Sequence, residues 1–161
     1  MKLIEELNID ELEFKKMRET NTGSRIIDID NTDLYQTPWM KIIYEVEYNI
    51  CIDAAKIQDV LEQIDNRVIQ YSAICLEFTE DETREMYRPL LRKSNNQVYF
   101  SIPITVGTVL FDRDKTFYNK TEIKDILKVN QHVRFILRFK KLYFKDHNLT
   151  FQIELVQIEL A

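Results

Sequence analysis

Two alternating segments near the C-terminus constrain this fold more than any other feature of the chain. His132 to Phe144 and Leu149 to Leu160 face each other across Lys145-Asp146-His147-Asn148 and read as one long hairpin. Asn, Asp and His tolerate positive φ, so the turn needs no glycine. In the first segment a period of two puts Val133, Phe135, Leu137 and Phe139 on one face. The other face carries His132, Arg134, Ile136, Arg138 and Lys140.

The remaining pattern supplies short strands and helices around that hairpin. Leu12, Phe14 and Met17 among charges predict a short helix over residues 10–20, stopped by Asn21-Thr22-Gly23. Ile26 to Asp30 reads as a short strand, Asn31-Thr32-Asp33 as a turn, and Pro38 sets an extended stretch. From Ile42 to Ile52 the alternation predicts a half-buried strand with Tyr44, Val46, Tyr48, Ile50 and Ile52 inward. Asp53 caps a helix whose apolar positions repeat every 3.6 residues to about Tyr71. A capping box at Thr79-Glu80-Asp81-Glu82 starts a second helix, which ends near Pro89. Gln97 to Phe111 is strand-rich, and Pro103 and Gly107 make it an edge strand or one that bends; Thr121 to Leu127 makes one or two helical turns. No regular strand-helix-strand alternation occurs, so the fold class is mainly β with appended helices (α+β), an antiparallel sheet or small barrel.

Composition removes whole classes of function. With 161 residues the chain predicts one domain with a sizeable core. Only two glycines, Gly23 and Gly107, are present, and they are far apart, which excludes the glycine-rich loops that cradle phosphate. Cys51 and Cys75 lie in apolar runs and read as small buried hydrophobes of a reducing compartment. No apolar run reaches the roughly 20 residues of a membrane span, and the N-terminus has no signal-like apolar region, so an intracellular setting is expected.

The net charge of −5 speaks against polyanions until it is divided by position. Residues 1–85 carry −11, residues 86–145 carry +9 and residues 146–161 carry −3. A basic stretch inside an acidic chain points to a polyanion-binding face, provided its charges are not cancelled in space. Positions on one strand face recur every ~7 Å, and Arg134, Arg138 and Lys140 occupy three of them, a spacing on which a nucleic-acid backbone can lie. Arg88, Arg92, Lys93, Arg113 and Lys115 add cations from nearby segments, and Trp39, Tyr87, Tyr99, Tyr118 and Tyr143 add aromatic rings. Cations interleaved with stacking rings suit single strands better than duplex, because every base has a π-face.

A resemblance follows from particular residues. Leu34 to Met40 before a strand, Leu61 to Asp65 in a helix, Tyr87-Arg88-Pro89-Leu90-Leu91, and Val133 to Phe144 with Val156-Gln157-Ile158 resemble the single-stranded-DNA-binding proteins of large nucleocytoplasmic DNA viruses. Those are similar to the OB-fold replication proteins of tailed phages. The resemblance spans about residues 34–160 and implies an OB-like antiparallel β barrel over 34–161, behind an N-terminal helix and short strand over 1–33. It implies sequence-tolerant binding of single-stranded DNA, with RNA, a second copy of the chain and replication proteins as further partners. Location at sites of viral DNA replication, in host cytoplasm or nucleus, goes with it.

Enzyme chemistry finds little support. His132 and His147 are the only histidines, and no Cys or His stands at metal-ligand spacing. The Asp112/Asp114 and Asp28/Asp30/Asp33 clusters read as solvated turn residues, so neither a cofactor, a metal nor a catalytic residue is expected. A competing expectation is a non-catalytic oligomeric module, in which the acidic half of one subunit meets the basic half of another.

Overall fold

The computed structural model describes residues 1–31 and 33–161, and it is mostly strand with three α-helices. The N-terminal strands are short: β1 (Lys2–Leu3), β2 (Arg18–Glu19), β3 (Arg25–Asp28), β4 (Tyr35–Gln36) and β5 (Met40–Lys41). The helix expected over residues 10–20 does not form. Asn8 caps a single 3-10 turn, Ile9–Glu11, after which the chain runs beside β3. There Phe14 bridges Ile29, the Lys15 N–H donates to the Asp28 carbonyl at 2.8 Å, and the Asp30 N–H donates to the Glu13 carbonyl at 2.8 Å. Pairing with a neighbouring strand satisfies backbone groups that a lone helical turn leaves to water. The turn expected at Asn31-Thr32-Asp33 includes Thr32, which lies outside the described residues.

Of the strand expected from Ile42 to Ile52, the end Asn49–Asp53 forms β6. Ile42 bridges back to Ile52 and the Ile43 N–H donates to the Cys51 carbonyl at 3.0 Å, so the residues between form a loop. Tyr44 and Tyr48 are 46% and 79% exposed on it, not buried as their parity suggested. Asp53 accepts the Ala55 N–H at 3.0 Å just before a 3-10 turn that leads into α1 (Gln58–Leu76). The N-cap positions are Ala54 and Ile57, neither with a side-chain cap, so Asp53 is not the expected cap. This helix continues past Tyr71 until Glu77 adopts a left-handed φ of 60°. α2 (Glu80–Met86) starts at the Thr79/Glu82 capping box.

After α2 come β7 (Tyr87–Arg88), β8 (Arg92–Ser94), β9 (Gln97–Pro103), β10 (Val109–Phe111), β11 (Phe117–Tyr118) and α3 (Lys120–Ile126). The long hairpin follows as β12 (His132–Lys145) and β13 (Asn148–Leu160). Its turn places Asp146 and His147 at φ of 51° and 60°, the two-residue geometry that matches strand twist.

β12 is the spine of a ten-stranded sheet, pairing with β13 on one edge and with β3, β4 and β5 on the other. β7 and β10 both join β13 in parallel, so the sheet is mixed rather than purely antiparallel. β6, β9 and β8 form a separate three-stranded sheet. Phe135, Leu137 and Phe139 of β12, Ile64 and Val68 of α1, and Ile50, Ile52 and Phe100 of the small sheet share one core.

Among the described residues no pairing closes the sheets into the expected barrel. β13 is covered at Leu149–Thr150 by β7 and at Gln157–Glu159 by β10, and no strand pairs with the edge between. β8 covers β9 only at Gln97–Tyr99, so the edge of β9 from Phe100 to Pro103 is also open. Pro103 has no N–H to offer, and the Thr108 hydroxyl already donates to the Leu155 carbonyl at 2.7 Å. Both facts work against a ladder between the two edges. No helix among the described residues is long and apolar enough to cross a membrane.

Candidate nucleic-acid interface

Register decides what the β12 cations can do. Arg134 stands directly opposite Glu159 and Arg138 opposite Glu154. The Arg134 guanidinium reaches the Glu159 carboxylate at 2.6 Å and lies 4.7 Å from the centre of the Trp39 ring. Arg138 and Lys140 share Glu154, at 3.3 and 3.4 Å. Opposed charges of opposite sign stabilise the hairpin by roughly 0.2–1 kcal/mol per pair. The expected open row of cations is therefore largely neutralised, by acids of β13 and not by the acidic first half. Lys93 is held as well, 3.6 Å from Glu62.

Arg88, Arg92, Arg113 and Lys115 remain exposed, with no ion pair among the described residues. Arg113 and Lys115 sit on the β10–β11 hairpin. Its loop is organised by Asp112, which accepts the N–H groups of Asp114 and Thr116, both at 2.9 Å, and the Tyr118 hydroxyl at 3.1 Å. That carboxylate pushes the Tyr118 hydroxyl above its ordinary range. Tyr118 pairs with Leu110 on the core side of the hairpin, while Phe117 is 56% exposed and edge-on to Phe111 at 5.7 Å. The better-placed ring here is Phe117.

Tyr87 is not a stacking surface. It is buried, and its hydroxyl donates to Asp65 of α1 at 2.6 Å. The same carboxylate accepts the Leu90 N–H at 2.9 Å and the Leu91 N–H at 3.0 Å. Burial pushes both groups up, the Asp65 carboxyl above the ordinary carboxylate range and the Tyr87 hydroxyl well above its own. The clamp fixes the segment that presents Arg88 and Arg92 on either side of it.

These two arginines, with Lys140, line a cleft of about 720 Å³. The cleft lies between the open edges of β9 and β13, which contribute Phe100 to Pro103 and Thr150 to Glu154. Its surroundings hold rings. Tyr99 stands opposite Arg92 in the small sheet, on the solvent side, and Tyr44 meets it edge-on at 5.9 Å. Tyr143 is half-buried in the same cross-sheet row as Thr150 and Arg88. The arrangement offers cations, unpaired strand-edge amides and flanking aromatics to an extended polyanion. Tyr44 and the β13 polar residues of the cleft escaped the sequence reading, because alternation assigned Tyr44 to the core.

No protein-family model matches the chain, and no curated protein matches it. Solved structures of similar fold do exist. A single-stranded DNA-binding protein from bacteriophage Enc34, with its C-terminus truncated, has a TM-score of 0.51 at 8% identity, over 92% of this chain and 95% of that one. The Enc34 protein in complex with single-stranded DNA gives a TM-score of 0.51 at 9% identity, over 92% of each chain. At such identities the likeness is one of fold.

Proposed function

We propose that the protein binds single-stranded DNA with little sequence preference, on an opened OB-like framework, in viral DNA replication, recombination or repair. The observation that carries this reading is the cleft that gathers Arg88, Arg92 and Lys140 between two open strand edges, with Tyr99 opposite Arg92 in register. The phage protein that shares the fold has been captured with single-stranded DNA, which supports the same ligand here. Cations hold the phosphates and the flanking rings take bases, so binding weakens steeply with salt.

Fluorescence titration with a homopolymeric oligonucleotide tests this at low and moderate salt. Salt-sensitive binding is expected, and its absence below about 100 µM overturns the proposal. Crosslinking to nascent single strands in an infected cell tests the replication role.

The ion pairs add a sharper expectation. Glu154 occupies both Arg138 and Lys140, so Glu154→Gln releases Lys140 at the cleft, along with Arg138 of the same strand. It should tighten binding and steepen the salt dependence by about one phosphate contact, or ~0.7 in slope. Unchanged or weaker binding would place the strand away from Lys140.

A further inference from the structure

A second groove, of about 650 Å³, adjoins the first. One wall carries Lys120, Lys124 and Lys128, spaced four residues apart on α3 and just beyond it; Glu45, Glu47 and Asp125 also line the groove. Among the described residues none of these lysines is in an ion pair, although the carboxylates share the groove. Tyr48, 79% exposed, completes the lining.

The two grooves are separated by one narrow crest. Asn49 and Thr105 line the first, and their chain neighbours Tyr48 and Ile104 line the second. The Ile104 N–H donates to the Tyr48 carbonyl at 2.8 Å, tying the crest together. A strand leaving Arg88 and Arg92 past Asn49 therefore meets the Tyr48 ring next and the lysine row after it.

Resting on the reading of the first cleft, we propose that this groove is a second subsite for the same single-stranded DNA. Phosphates run along Lys120, Lys124 and Lys128, and a base stacks on Tyr48 as the strand crosses the crest. The chemistry is sided. A nucleotide strand carries its anions along one edge and its bases along the other, so the lysines take the backbone. The carboxylates of Glu45 and Glu47 repel phosphate and accept hydrogen bonds from exocyclic amines of bases. Lys120 and Lys124 stand about one helical turn apart, ~6 Å, a spacing that allows successive contacts along an extended backbone, and Lys128 follows just past the end of α3.

The test uses oligodeoxycytidylates, whose bases carry an exocyclic amine, of about 4 and about 16 nucleotides, the range a single OB-like domain covers. Wild-type protein should bind the long oligomer with a steeper salt slope than the short one. K120Q/K124Q/K128Q should flatten the slope for the long oligomer by about 2, at ~0.7 per lost phosphate contact, and leave the short one unchanged. Tyr48→Ala should weaken the long oligomer roughly tenfold, within the range of one lost stack. All four positions are exposed, so melting temperatures should hold, and K15Q/K16Q/R67Q controls for the change in net charge. A lysine variant that leaves the long oligomer unaffected, or weakens both lengths equally, overturns the second subsite. Wild-type protein that binds neither length instead overturns the reading of the first cleft, and this inference with it.

Discussion

Asp65→Ala is expected to destabilise the protein by about 3–5 kcal/mol, a large share of the ~5–15 kcal/mol that holds a domain together. The reason is the number of donors left behind. Asp65 is 7% exposed and accepts the Tyr87 hydroxyl and two backbone N–H groups, all of which lose their acceptor when the carboxylate is removed. Each buried orphan costs roughly 1–3 kcal/mol. Asp65→Asn keeps the shape but turns one amide N–H toward a donor, so about 1–3 kcal/mol is expected. Urea denaturation checks both values, and a loss under 1 kcal/mol for the alanine variant would mean that the clamp is not formed in solution.

The asparagine variant also tests the sign of the pH dependence. Burial raises the folded-state pKa of Asp65, so ionisation costs more in the folded chain than in the unfolded one. The contribution of this carboxyl is thus greatest below the unfolded value of about 4, and it declines as pH rises through the folded value. Asparagine does not titrate, so the stability gap between wild type and D65N should narrow from pH 4 toward pH 7. A gap that widens would mean that the three donors outweigh desolvation.

The long hairpin was readable from alternation because a residue period of two survives any register. What it joins was only partly readable, since Arg138 faces Glu154 only because the register slips at Phe139/Lys141 and slips back at Ile136/Leu137, which no count of parity contains, while Arg134 and Glu159 keep the register set by the turn. The division of charge located the basic stretch at residues 86–145 but left open whether acids cancel it: Glu62 of the first half pairs with Lys93, and Glu154 and Glu159 pair with the β12 cations. Glu154 and Glu159 belong to a segment of only −3, yet pairing brings them onto the cations. Tyr44 and Tyr48 show a different limit. Alternating Tyr and Glu produce the same pattern in a strand and in a loop, and the Ile42–Ile52 bridge makes this stretch a loop. Arg88 and Arg92 could be named from sequence, but Asp65, which holds their segment in place, reads there as one more polar helix residue.

Paired and open cations should therefore separate in a binding experiment. R88Q/R92Q/K140Q removes the cleft's positive lining, and the salt slope for a homopolymeric oligonucleotide should flatten by about 2, with affinity at 0.1 M salt falling roughly 100-fold. Among the described residues Arg88 and Arg92 have no ion pair, and Lys140 shares one carboxylate with Arg138, so the three together carry net positive charge toward a strand. The contrasting variant is R134Q/E159Q, which removes a matched pair and leaves the net charge unchanged. A phosphate that drew Arg134 away would have to break a 2.6 Å contact with Glu159 and a stack on Trp39, leaving the carboxylate facing the polyanion. That exchange gains little, so the double variant should bind within about threefold of wild type, as weakly coupled surface pairs do. If R134Q/E159Q instead flattened the slope by a full phosphate contact while the triple variant did not, the strand would run over the face of the hairpin, and the cleft would have to be reassigned.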